Sequence, residues 1–117
     1  MLFTGHIERG HGRATELGFP TINIPLTDTT LSGVYVGRTT LHGKTYFSAV
    51  FADQWRHILE SHVLDFDGDV DGEVNVEVIE KIRDTQKFSD DHELHEAIAR
   101  DIARVRQYAI ECADGTV

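Results

Sequence analysis

A glycine- and arginine-rich segment near the start of the chain has the composition of a phosphate-binding loop. The run from residue 9 to residue 18 reads RGHGRATELG and leads through Pro20 into a short apolar segment. Glycine allows the backbone to expose consecutive N–H groups to an anion with no side chain in the way. This composition is typical of a loop that could bind phosphate.

Thr21 and Asn23 follow this loop and alternate with two isoleucines. If residues 21–25 form a strand, Thr21 and Asn23 lie on one face about 7 Å apart, and Ile22 and Ile24 lie on the opposite face. The isoleucines are then predicted to enter the core. A hydroxyl and an amide oxygen are hard neutral ligands, suited to a magnesium ion that also binds phosphate oxygens. The alternative is that both polar residues lie on a solvent-facing strand edge.

Glu60 is the candidate general base. It alternates in phase with Ile58, Leu64 and Phe66, so a strand over residues 58–66 places the carboxylate on the same face as apolar side chains. Burial among such neighbours raises the pKa of a carboxyl group and moves it towards the range of a base. The alternative is a strand edge that exposes Glu60 to solvent.

Three other segments resemble ligand sites, and simpler interpretations explain them better. Residues 37–45 have five residues between their glycines where a P-loop needs four, so we interpret 42–44 as a hairpin turn. Residues 67–72 match the first half of a calcium loop but place a valine at its twelfth position, which favours a turn. His92 and His95 lack an evident third metal ligand, and we interpret them as part of an exposed first helical turn.

The order of the elements predicts a mainly β fold. Apolar alternation, with turn residues between the segments, predicts six strands at 2–7, 21–25, 34–41, 45–52, 58–66 and 73–83. Apolar residues at spacings of three and four then predict one amphipathic helix over about 90–112, with Ser89 and Asp90 as N-cap candidates. Regular turns favour a small antiparallel barrel over about 1–88, and we expect the helix to cover one side or end of it.

Length and charge limit the classes of function. The chain has 117 residues, which suits a single domain over 1–117. Its 11 basic and 20 acidic residues give a net charge of −9, which disfavours nucleic acid as a partner but is compatible with a small anionic ligand. No apolar run approaches the roughly 18 residues that cross a bilayer, so we expect no membrane partner. With the single cysteine Cys112 and no signal-peptide pattern, we predict a cytoplasmic location. The oligomeric state is open from the sequence, and we expect a monomer.

Several sequence blocks, taken in order, resemble the riboflavin kinase family, the domain that forms the C-terminal half of bacterial bifunctional FAD synthetases. The blocks are RGHGRATELGFPTIN at 9–23, GVY at 33–35, ESHVLDFDGDVDG at 60–72 and KIRDTQKF at 81–88. The resemblance implies a six-stranded antiparallel Greek-key barrel with one C-terminal helix. It also implies transfer of the ATP γ-phosphoryl group to the ribityl 5′-hydroxyl of riboflavin, which gives FMN and ADP.

The resemblance also implies roles for individual residues. The residues that it implies for nucleotide binding are Gly10, Gly12, Arg13, Thr21 and Asn23. Among these, Thr21 is implied as a ligand of Mg²⁺ with Asn23 beside it, and Glu60 is implied as the base. Residues 49–57 differ from the family's Asn-x-Gly and Pro-Thr-Phe blocks, so the resemblance identifies no flavin-contacting residue.

Two alternatives to this interpretation are open from the sequence. The chain could be a non-catalytic flavin- or nucleotide-binding module on the same barrel, or it could be the kinase fragment of a bifunctional FAD synthetase. Because the family-like blocks begin within ten residues of Met1, we expect one kinase-like domain and FMN, without FAD, as the product.

Overall fold

The computed structural model describes residues 1–9, 13–66 and 71–114. Its elements in chain order are β1 (Leu2–His6), β2 (Glu8–Arg9), α1 (Arg13–Glu16), β3 (Ile22–Pro25), β4 (Gly33–Leu41), β5 (Lys44–Asp53), β6 (Ile58–Val63), β7 (Glu73–Arg83) and α2 (Asp91–Asp114). The strands pair antiparallel in the order β1-β7-β4-β5-β6-β3-β2. Apart from the two-residue β2, six strands form a nearly closed barrel, which confirms the predicted mainly β fold with a C-terminal helix.

The barrel comes close to closure where β1 approaches β3. A Cβ atom on Gly5 would lie 3.1 Å from Cβ of Ile24, which is tighter than normal side-chain packing. Glycine therefore lets the two backbones approach more closely than any other residue would.

The barrel wall has two faces with different partners. Its inner face forms the main core, whose members include Ile24, Val50, Leu59 and Val76. On the outer face, Val36 and Leu64 pack against Val105 of α2. Ile24 is buried in the main core and Ile22 packs against it, which confirms the predicted inward face of β3. Residues of opposite parity on β3 and β6 must therefore point outwards, towards the side that α2 covers.

The prediction for the end of β6 was wrong. The strand ends at Val63 and not at residue 66, because Asp65 has φ +58°, a left-handed conformation that an extended strand does not contain. The two short elements β2 and α1 were not predicted, since elements of two and four residues are too short to show a periodic pattern.

The hairpin predicted at residues 42–44 is confirmed. Leu41 lies opposite Lys44, so only His42 and Gly43 form the turn. Both turn residues have positive φ, +49° and +80°, as a type I′ turn between antiparallel strands requires. Residues 67–70, which contain most of the segment that resembles a calcium loop, lie outside the described residues.

Helix α2 is capped at its start and covers one side of the barrel, as predicted. The carboxylate of Asp90 accepts a hydrogen bond from the Glu93 N–H at 2.9 Å, and the Glu93 carboxylate accepts one from the Ser89 N–H at 3.1 Å. The side chain of His92 is exposed in the first turn. In the ranges that the structure covers, no helix is long and apolar enough to cross a membrane.

Gly33 provides a test of how tightly β4 packs against the end of β7. It has φ +93°, and a Cβ there would press into the carbonyl oxygen of Arg83 and lie 3.0 Å from Cα of Asp84. We expect Gly33→Ala to lower the free energy of unfolding by about 2–3 kcal/mol, measured by urea denaturation, because backbone strain and a clash combine. Gly43→Ala is the matched control, since Gly43 has φ +80° with no atom within 4 Å and should lose only about 1 kcal/mol. Equal losses in the two variants would contradict the clash at Gly33.

Candidate functional site

A cavity opens between the outer face of the barrel and α2, with a volume of about 210 Å³. Most of its wall is apolar, and the apolar side chains include Phe19, Ala49, Phe51, Phe88, Leu94 and Ile98. The polar side chains that line it include Thr21, Arg56, Glu60, His62, Arg83 and Asp101. An apolar cleft with a few polar groups is the usual form of a small-molecule site. The cavity therefore contains Thr21 and Glu60, two of the residues that the sequence singles out.

Asn23 lies directly opposite Glu60 in the β3–β6 ladder, so their side chains share the outer face. Asn23 is only 4% exposed, which rules out the solvent-facing edge considered for it. Its Oδ1 atom and the Oγ1 atom of Thr21 are buried and have no hydrogen-bond partner among the described residues. A buried acceptor without a partner costs roughly 1–3 kcal/mol. These two oxygens are therefore available to a bound group.

The chemistry of these oxygens fits a hard cation such as Mg²⁺, which takes neutral oxygen ligands together with water and phosphate oxygens. Nowhere in residues 1–9, 13–66 and 71–114 do three or more His, Cys, Asp or Glu side chains form a group that could hold a metal ion. A cation bound at Thr21 and Asn23 would therefore complete its coordination with oxygens of a ligand or of water.

Glu60 is a buried carboxylate, 6% exposed, on the outer face of β6. Burial raises the pKa of Glu60 above its ordinary value, the ion pair with Arg56 lowers it, and the nearby charge of Asp53 raises it further. Burial is the largest of these effects, so the pKa is raised overall. This confirms the predicted direction and excludes the solvent-exposed edge, while the role of Glu60 as a base stays a prediction.

Arg56 and Asp53 belong to the site, and the sequence analysis did not find them. Arg56 donates from Nε to the Asp53 carboxylate at 2.7 Å and from Nη2 to Glu60. The other oxygen of Asp53 accepts the backbone N–H groups of Trp55 and Arg56 at 3.0 and 3.1 Å. An aspartate that caps its own turn is a recognisable local pattern, but the pair with Glu60 depends on the β5–β6 connection. The side chain of Trp55 is 92% exposed.

Asp101 and Arg83 join α2 to the end of β7 beside the cavity. Arg83 donates to the buried Asp101 carboxylate from Nε at 2.9 Å and from Nη2 at 2.8 Å. The same guanidinium lies 5.7 Å from the ring centroid of Phe88. The sequence analysis also missed Asp101. A signal was present, because Asp101 is an acidic residue in phase with the apolar stripe of α2 at Ile98 and Val105.

The predicted phosphate-binding loop is only partly described. Gly10 and Gly12 lie outside the described residues, and Arg13 is the first residue of α1. Their contact with a nucleotide stays a prediction.

Comparison with known proteins identifies the family of this chain and agrees with its fold. A model of the flavokinase family, described as riboflavin kinase, matches residues 1–109. The chain belongs to the riboflavin kinase family. It is 31% identical over 119 residues to a bifunctional riboflavin kinase/FMN adenylyltransferase of Pseudomonas fluorescens, a match that covers 93% of this chain. The chain is also 34% identical over 107 residues to the trifunctional protein RibF/MnmA of Mycoplasmoides gallisepticum, a match that covers 83% of this chain.

A solved structure shows the same fold. The crystal structure titled macrolide-efflux protein from Streptococcus pneumoniae superposes with a TM-score of 0.69 at 26% identity, covering 88% of this chain and 38% of that one. The chain spans only 38% of the length of the Pseudomonas fluorescens relative and 16% of that of the Mycoplasmoides gallisepticum relative. The activities in their names are those of the longer proteins.

The ion pair at Glu60 gives a measurable prediction. Because Arg56 lowers the pKa of Glu60 against the effect of burial, Arg56→Met should raise that pKa further. The titration midpoint is read from the ¹³C shift of the Glu60 carboxyl group, assigned by its loss in Glu60→Gln. Arg106→Met is the control, since Arg106 pairs with the exposed Asp65 and should leave the midpoint of Glu60 unchanged.

The raised pKa of Glu60 also implies a pH dependence of the free energy of unfolding. The folded pKa of Glu60 lies above its unfolded value, so its contribution is favourable below the unfolded pKa and is lost as pH rises through the folded pKa. Removal of Arg56 should extend this loss to higher pH. An unchanged midpoint in Arg56→Met would show that the pair has no electrostatic effect on Glu60.

Proposed function

We propose that this chain is a magnesium-dependent riboflavin kinase that transfers the γ-phosphoryl group of ATP to the ribityl 5′-hydroxyl of riboflavin. The observation that carries the proposal is the placement of a buried carboxylate, Glu60, opposite Asn23 and in the same cavity as Thr21. Phosphoryl transfer needs mainly positioning and electrostatic stabilisation from the protein, with a base beside the attacking hydroxyl.

The apolar cavity is the proposed flavin site. The isoalloxazine ring is flat and aromatic, and the rings of Phe19, Phe51 and Phe88 supply the kind of surface that binds such a ring. Because Glu60 and Thr21 line the same cavity, a flavin bound there would have its ribityl chain within reach of both. This assignment provides the flavin-contacting residues that the sequence alone did not identify.

The two unpaired oxygens form the proposed metal and nucleotide site. Thr21 Oγ1 and Asn23 Oδ1 would hold Mg²⁺, and Gly10, Gly12 and Arg13 would contact the phosphates of the nucleotide. When bound, the ion would offset the negative charge that develops on the phosphoryl group during transfer.

Glu60 is the proposed base. Its carboxylate would accept the proton of the 5′-hydroxyl as the ribityl oxygen forms a bond to the γ-phosphorus and the bond from that phosphorus to the β–γ bridging oxygen breaks, which releases ADP. Arg56 holds one carboxylate oxygen, Oε1, which leaves Oε2 for the substrate. This division of the carboxylate lets one residue be both fixed in orientation and available as a base.

The direct test is the reaction itself. The purified chain, incubated with riboflavin, ATP and Mg²⁺, should accumulate FMN, detected by chromatography with fluorescence. We expect FMN alone, with no FAD. Riboflavin binding without FMN would instead identify a non-catalytic binding module, and the absence of both would exclude the two functions together.

Substitution of the proposed base should separate chemistry from binding. Glu60→Gln is expected to lower turnover by about 10²–10⁴-fold, the usual contribution of a positioned base, with little change in nucleotide affinity. Glu73→Gln, at an exposed position where β7 begins, is the control and should retain turnover. If Glu60→Gln stays within a few-fold of the unmodified chain, Glu60 has no part in the proton transfer.

Substitution at Thr21 should act on the metal. Thr21→Val keeps a β-branched side chain and removes the hydroxyl, so the fold should persist while the Mg²⁺ concentration for half-maximal rate rises. Loss of even an outer partner of a metal site costs about 10–100-fold in affinity, so we expect at least about 10-fold here. Thr21→Ser keeps the hydroxyl and should retain the Mg²⁺ dependence. An unaltered requirement in Thr21→Val would remove Thr21 from the metal site.

A further inference from the structure

Thr21 is not held by the strand that follows it. Strand β3 begins at Ile22, which pairs with Ser61, so Thr21 lies just before the first residue in the β3–β6 register. The preceding residue, Pro20, has no backbone N–H and cannot donate a hydrogen bond. Another contact must therefore fix the peptide that leads into Thr21.

His62 makes that contact. Its Nδ1 atom lies 2.8 Å from the carbonyl oxygen of Pro20. Because a carbonyl oxygen only accepts hydrogen bonds, the Nδ1 atom must carry the proton. His62 also packs edge-on against Phe19, with ring centroids 5.8 Å apart, and Phe19 contacts His95 of α2 at 5.0 Å. The two residues before Thr21 are thus held by one side chain of β6.

The same imidazole lies next to the proposed base. His62 is two residues beyond Glu60 on β6, so both side chains share the outer face, about 7 Å apart along the strand. A single strand therefore carries the carboxylate and also the group that fixes the peptide before Thr21.

We propose that His62 is a positioning residue, which holds Thr21 where its hydroxyl can bind the nucleotide-associated metal ion. The inference rests on the proposed role of Thr21. The hydrogen bond of His62 is to the main-chain carbonyl of Pro20, so His62 affects the placement of Thr21 and does not act on the metal directly.

Two substitutions separate the effect of the hydrogen bond between His62 Nδ1 and the Pro20 carbonyl from the effect of the rest of the imidazole. The Nδ2 atom of asparagine is bonded to Cγ, as Nδ1 of histidine is, so His62→Asn can still donate to the Pro20 carbonyl. In His62→Gln the nitrogen lies one bond further from the backbone, in the place of Nε2, and cannot reach the same oxygen in the same geometry. Both variants lose the imidazole ring and its contact with Phe19 equally, so the difference between them reports the hydrogen bond.

The measurement is the affinity for ADP by titration calorimetry, with and without Mg²⁺, which needs no turnover. The ratio of the two dissociation constants is the gain in affinity that the metal provides. We expect His62→Gln to reduce this gain by about 10-fold, the lower end of the range for residues that orient metal ligands, and His62→Asn to stay within about 2-fold of the unmodified chain. Thr21→Val serves as the reference for full loss of the ligand.

The outcomes are separable. If Thr21→Val loses the gain and His62→Gln keeps it, the role of His62 is excluded and the proposed metal site stands. If Thr21→Val also keeps the gain, the metal role of Thr21 fails, and that of His62 fails with it. Equal losses in His62→Asn and His62→Gln would assign the effect to the ring and overturn the proposal. If His62→Gln does not fold, ¹⁵N shifts of the His62 ring in the unmodified chain decide, because an Nε2–H tautomer would exclude the bond to Pro20.

Discussion

The pairing of β3 with β6 is the contact on which the candidate site depends. One register places Ile24 opposite Leu59 and Asn23 opposite Glu60. Because side chains alternate between the faces of a strand, this register sends the isoleucine and the leucine into the barrel and turns the amide and the carboxylate outwards. A slip of one residue would exchange the two faces and bury Glu60 in the main core. The free energy gained by core packing therefore also fixes the geometry of the polar site.

A buried carboxylate needs compensation, and the turn between β5 and β6 provides it in this chain. Asp53 fixes the turn and the guanidinium of Arg56, which in turn pairs with Glu60. Arg56 does not overcome the cost of burial, since the pKa of Glu60 remains raised. A carboxyl group in this condition is more basic than an exposed one, and its ion pair with Arg56 opposes the effect of burial. The segment that departs most from the family pattern thus supplies its own means of controlling the proposed base.

The strands with a regular apolar alternation were predictable from the sequence. The alternation of β4, β5 and β7 was visible, and their ends lie within about one residue of the prediction. The faces of Asn23 and Glu60 were also predictable, but their position opposite one another was not, because strand pairing over long separations leaves no periodic signal. The Arg56–Glu60 pair, only four residues apart, was missed because it depends on the turn between β5 and β6, which shows no periodic pattern. The end of β6 was missed because a single left-handed residue, Asp65, interrupts an otherwise apolar alternation.

Helix α2 has two functions along its length. Near its middle and C-terminal part, Val105 packs against Val36 and Leu64 and is fully buried, so this part stabilises the barrel. Nearer the N-terminus, Leu94 and Ile98 line the cavity. Asp101 lies between the two parts, where its ion pair with Arg83 anchors the helix to β7. The packed half and this ion pair therefore fix the position of α2 relative to the barrel wall on the other side of the cavity. A site whose walls are fixed in this way loses less free energy to ordering when a ligand binds.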